Sequence, residues 1–120
     1  MNIVVLRGHL SSVPVARTLA SGSTLYTLEV TTVTADGTSA SVPVAWFDPP
    51  RAPDWNAGDE VLVRGVVRRR FFRLASGTQS RTEVLAAEVV PANDRRRARR
   101  VVDRLVESLG ADGGGALRSG

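Results

Sequence analysis

Alternation of apolar and polar residues with period two, in short runs broken by turn chemistry, constrains the first 90 residues of this chain more than any other feature. Successive side chains of a strand point to opposite faces, so each run sorts into a core row and an outer row. In the first run, Val4, Leu6, Gly8 and Leu10 form one row and Ile3, Val5, Arg7 and His9 the other. In the second, Thr24 to Val33, the alternation puts Tyr26, Leu28, Val30 and Thr32 inward and Leu25, Thr27, Glu29 and Thr31 outward. Asp36-Gly37 supplies a hairpin turn that tolerates positive φ. The third run, Ser39 to Phe47, then returns with Val42, Val44 and Trp46 inward and Ser41, Pro43, Ala45 and Phe47 outward. Pro43 cannot donate to a ladder, which predicts an edge or a bulge there.

The segment from Asp48 to Trp55 holds three prolines and leaves room for at most about one turn of helix. Gly58 opens a fourth run, with Val61, Val63, Gly65 and Val67 in the inward row and Arg64, Arg68, Arg70 and Phe72 in the outward row. A turn around Ala75-Ser76-Gly77-Thr78 leads into the last run, Arg81 to Val90, which Pro91 ends. The fold class expected is all-β: a five-stranded OB-fold barrel over residues 1–91, a short connector helix, and an appended C-terminal α-helix. Asn93 or Asp94 caps that helix, which occupies residues 92–110, ends at about Leu109 and has Gly110 as its stop. Val101, Val102, Leu105, Val106 and Leu109 give it an apolar stripe. Residues 111–120, rich in Gly and Ser, are expected to be a flexible tail.

A chain of 120 residues can bury one modest core. It has no Cys, which excludes disulfides and thiol chemistry, and a single histidine, His9, which offers no clustered metal site. No paired carboxylates, base-activated nucleophile or phosphate-cradling glycine loop can be assembled, so no catalytic residues, cofactor, metal or small-molecule substrate are expected, and the chain does not read as an enzyme. No apolar run approaches the roughly 20 residues of a membrane span, and Met1-Asn2-Ile3-Val4 lacks the pattern of a secretory signal. A cytoplasmic location is the expectation.

All 16 basic residues are arginine. Residues 93–120 carry seven of them against four acids, and the stretch 64–81 carries Arg64, Arg68, Arg69, Arg70, Arg73 and Arg81 with no acid at all. Such a local basic patch attracts polyanions. The helix is unusual in another way. Arg95, Arg96, Arg97, Arg99 and Arg100 crowd its first two turns, where the helix dipole favours anions, a poor arrangement if helix stability were the only demand.

Several motifs occur in order along residues 2–91: Asn2-x-Val4-x-Leu6-x-Gly8-x-Leu10, Pro14-x-x-Arg17, Gly22, Gly58-Asp59-x-Val61-x-Val63-x-Gly65, and Ser76-Gly77 followed by Arg81-Thr82-Glu83-Val84. In this collinear set the chain resembles the bacterial single-stranded DNA-binding protein family. The resemblance implies sequence-tolerant binding of single-stranded DNA, by stacking bases on aromatic side chains and holding phosphates with basic ones, in replication, repair or recombination. By motif position, Phe47 and Phe72 match the family's stacking aromatics, and Arg68 and Arg70 its basic side chains. Two positions that often hold tryptophan in the family are Thr34 and Ser41 here, and the Asp36-Gly37 hairpin is short, which implies fewer stacked bases and a smaller footprint. The end, Ala116-Leu117-Arg118-Ser119-Gly120, differs from the acidic, apolar-tipped tail with which replicative members recruit partner enzymes.

The residues expected to bind nucleic acid are therefore Phe47, Arg64, Arg68, Arg70, Phe72 and Arg73, with Arg95, Arg96, Arg97, Arg99 and Arg100 as auxiliary phosphate contacts. Trp46, Trp55 and Phe71 are assigned to the core, and His9 to the surface. The expected partner is single-stranded DNA, with single-stranded RNA as a variant. Ile3 and Val5, outward on the first run, are expected to pair subunits, and the resemblance implies a homo-oligomer, a dimer or tetramer. The reading from a different class is an OB module whose barrel or helix binds another protein.

Overall fold

Each of the five alternating runs forms a strand, the last extended back to Gly77, and residues 15–18 add a sixth that the alternation did not predict. The computed structural model describes the backbone of residues 1–119 and the side chains of residues 1–110. Strands β1 (Val4–Leu10), β2 (Val15–Thr18), β3 (Thr24–Val33), β4 (Ser39–Phe47), β5 (Glu60–Leu74) and β6 (Gly77–Pro91) precede a single helix, α1 (Arg95–Ser119).

Strand β1 runs antiparallel to β5, from Val4 opposite Gly65 to His9 opposite Glu60, and its last residues switch to β3, with Leu10 opposite Val30. Strand β2 continues along the same edge of β3, so β1 and β2 act as one interrupted strand. β3 pairs antiparallel with β4 over their whole lengths, β5 with β6, and β4 meets β6 in parallel at Val44–Val84 and Ala45–Leu85. The ring β1-β3-β4-β6-β5 closes into a five-stranded barrel of OB type. Pro43 pairs with Glu29 just before the β4–β6 ladder begins, so its missing N–H breaks no bond to β6.

Closure brings backbones into contact at two glycines. A Cβ on Gly8 would lie 2.3 Å from the Thr31 carbonyl oxygen, and one on Gly65 would lie 2.1 Å from that of Leu85. Inside the ring, Leu10, Leu28, Val30, Val44, Trp46, Val61, Val63, Val84, Ala86 and Val89 form the core, with Val4, Leu6, Tyr26, Val42 and Trp55 packed against it. Each fully buried Val or Leu contributes about 1.5–3 kcal/mol. Leu25, outward by alternation, is nevertheless buried, because Arg17 and Phe47 flank it in register on the outer surface.

The connector departs from expectation. Residues 48–59 contain no helix, since three prolines remove donors and fix φ. Trp55 instead anchors the segment by stacking on Trp46, with ring centroids 6.0 Å apart and planes 7° from parallel. Asp94 caps α1, its carbonyl accepting from Ala98 N and its side chain from Arg97 N at 3.1 Å. The helix also passes Gly110, where a stop was expected. Gly110 does not take the left-handed conformation that ends a helix, and the backbone stays helical to Ser119. The expected tail, 111–120, falls where side chains lie outside the described residues. α1 packs on β6 and β5 with Val101 fully buried, and among the described residues no helix is long and apolar enough to cross a membrane.

Candidate nucleic-acid interface

β5 and β6 are longer than the barrel they close. β1 last meets β5 at Gly65, and β4 meets β6 only at Val84 and Leu85. Beyond Val67 and Val84 the two strands pair only with each other, up to Leu74 opposite Gly77. The result is a two-stranded ribbon projecting from the barrel. Asn2 fastens its base, accepting from Val67 N at 2.9 Å and donating to Val67 O at 2.8 Å.

Alternation gives the ribbon two distinct faces. One carries Val67, Arg69, Phe71 and Arg73, opposite Val84, Thr82, Ser80 and Thr78 on β6. This face has no acid, Phe71 is 65% exposed, and neither Arg69 nor Arg73 has an ion-pair partner among the described residues. The other face carries Arg68, Arg70 and Phe72, opposite Glu83, Arg81 and Gln79. Here Glu83, only 6% exposed, holds Arg68 at 3.1 Å and Arg70 at 3.6 Å, while Arg81 lies 3.7 Å from Glu29. Phe72 is half-buried.

These positions correct the sequence reading at one point and redistribute it at others. Phe71 is not a core residue. Its row is inward at Val63 and Gly65, but by residue 71 the strand has left the barrel, and the same row faces solvent. The basic stretch 64–81 has no acid in sequence, yet β3 and β6 bring carboxylates to four of its six arginines. Arg64 lies with Glu88, 2.6 Å away, and Glu88 also receives Arg104 from α1. Arg73, and Arg69 which was not among the expected site residues, have no ion-pair partner among the described residues. The sequence held one signal for Phe71 and Arg69: a paired run longer than the other strands.

Phe47 and Arg68 do come together, with the guanidinium carbon 5.6 Å from the ring centroid and Phe47 36% exposed. The contact is a cation–π interaction. Arg68 also pairs with Glu83, a buried carboxylate that is tolerable because the guanidiniums of Arg68 and Arg70 balance its charge. Arg68 Nε is buried without a hydrogen-bond partner, so this cluster leaves one donor unused.

At the opposite end of β5, Arg95, Arg96, Arg97, Arg99 and Arg100 are all exposed and have no ion-pair partner among the described residues. On the β3–β4 turn, Gly37 has φ of 88° and Asp36 accepts from the Thr34 and Thr38 hydroxyls and from Thr38 N. These bonds, that from Thr34 first, lower the Asp36 pKa from 3.8 to about 2. Among the described residues no group of three or more His, Asp or Glu side chains could hold a metal ion. No protein-family model and no curated protein matches this sequence.

Proposed function

We propose that the protein binds single-stranded DNA without strong sequence preference, using the β5–β6 ribbon as its main contact. The observation that carries this reading is the acid-free face on which exposed Phe71 stands between unpaired Arg69 and Arg73. Adjacent positions in one row are about 6.6 Å apart, so a base stacked on Phe71 has a guanidinium on either side for its phosphates. An aromatic face accepts any base, and Thr78, Ser80 and Thr82 add hydroxyl groups without opposing charge. Phe47 with Arg68 forms a second aromatic–cation pair on the outer surface, and Arg70 and Phe72 extend it along β5. Duplex DNA offers no exposed base faces to such a platform, which gives the reading its strand preference.

The test is an equilibrium anisotropy titration of labelled oligothymidylate, duplex DNA and single-stranded RNA of equal length, at several salt concentrations. The reading expects a preference for single strands over duplex and an affinity that falls steeply with salt. An RNA preference would reassign the ligand, and no binding near micromolar at low salt would overturn the reading.

A further inference from the structure

Where α1 crosses the end of β6, a cavity of about 660 Å³ opens between the first turns of the helix, β6 and the connector. This volume is within the usual range for small-ligand sites. Five guanidiniums reach its wall, from Arg51, Arg64, Arg97, Arg100 and Arg104, against the carboxylates of Asp54 and Glu88. Glu88 is already taken by Arg64 and Arg104. Arg51, Arg97 and Arg100 have no ion-pair partner among the described residues. Arg97, Arg100 and Arg104 follow at spacings of three and four, which puts them on one helix face. Both tryptophans of the chain also line the cavity, Trp46 from the core and half-buried Trp55 stacked upon it.

We infer that this cavity is a second nucleotide subsite, in which a base lies against Trp55 and its phosphates are held by Arg51, Arg97 and Arg100. The inference rests on the proposed binding of single strands and extends it. Nothing in helix stability accounts for arginines in the first turns of α1, where the dipole opposes them, whereas a polyanion reached by both the helix and the connector does. The cavity includes Arg64, which shares the outer row of β5 with Arg68 and Arg70, so this row runs from the cavity to the base of the ribbon, and a strand must cross the ribbon's edge from there to reach the Phe71 face. Phe71 is about 23 Å from Arg64 along the strand. A short strand therefore occupies one site at a time, while a longer one can engage both.

The ribbon carries no tryptophan, so intrinsic emission reports the cavity alone. The experiment titrates the full chain with oligothymidylates of about 5 and about 15 nucleotides, the range of OB-fold site sizes, reading labelled-DNA anisotropy and tryptophan emission together. The long strand is expected to change the emission, with an affinity at least tenfold above that of the short strand. In the double variant R97Q/R100Q, both side chains exposed and circular dichroism serving as the folding control, the emission change is expected to vanish. The anisotropy response should persist, with a salt slope shallower by about 1.4, the share of two phosphates on a single strand. Trp55→Phe should reduce the emission change to what buried Trp46 contributes, while keeping an aromatic against the core. Anisotropy without any emission change, or an emission change unaltered in R97Q/R100Q, overturns the cavity site and leaves the ribbon reading standing. No anisotropy response overturns both.

Discussion

Glu83 occupies an unusual place for a carboxylate in a nucleic-acid binder. It is buried on the outer surface of the barrel and neutralises two arginines at the base of the ribbon. Its presence sets stability against binding. Glu83→Gln should destabilise the fold by about 1–3 kcal/mol, because partly buried guanidinium donors lose their acceptor. The same change should tighten single-strand binding and steepen its salt dependence, since Arg68 and Arg70 become available to phosphates. Urea unfolding and DNA titration of the one variant measure both, and loss of stability together with loss of affinity would contradict the assignment. Asp36 makes a separate prediction. Its folded pKa is depressed, so the stability it contributes is fully present above about pH 4 and is lost as pH falls through about 2. Unfolding followed between pH 5 and 2 should show less acid destabilisation in Asp36→Ala than in the unaltered chain. Equal slopes would mean the Thr34 and Thr38 bonds do not persist in solution.

At the scale of elements, the ribbon and the glycines beneath it belong together. Gly65 lies at the register shift between β5 and β6, still within the barrel opposite Val4 of β1 and just before the free ribbon, and a side chain there would meet the Leu85 backbone. Gly65→Ala should therefore cost about 3 kcal/mol through overpacking against backbone that has little freedom to retreat, a loss visible as a lowered denaturation midpoint. A change under about 0.5 kcal/mol would show that the strands part easily at this point. Five of the six strands were legible in the sequence, because period two and turn residues are local signals: β3 and β4 have the bounds that Thr24–Val33 and Ser39–Phe47 suggested, whereas the short β2 was missed and β6 begins at Gly77, four residues before the expected Arg81. Phe71 was not legible, since its row is correctly inward at the barrel and only pairing length reveals where the barrel stops. Nor were the ion pairs of Arg64, Arg68, Arg70 and Arg81, whose partners Glu88, Glu83 and Glu29 come from other strands. The continuation of α1 beyond Gly110 is a further case, because glycine permits a helix stop without imposing one.

For the whole molecule, the fold separates core, ribbon and helix along one long strand pair. The barrel end of β5 and β6 carries α1, whose Val101 is sealed against it, and the free end carries Arg69, Phe71 and Arg73. Exposed side chains on a ribbon can be removed without touching the core, so binding and folding can be altered independently here. Phe71→Ala, compared with the unaltered chain in anisotropy titrations of labelled oligothymidylate at several salt concentrations, separates base stacking from simple charge attraction. Its affinity should fall about 5- to 150-fold, the loss of about 1–3 kcal/mol from one stacked base, with the salt slope and the unfolding midpoint unchanged. Unaltered affinity, or a loss that appears only as a shallower salt slope, would contradict stacking on Phe71.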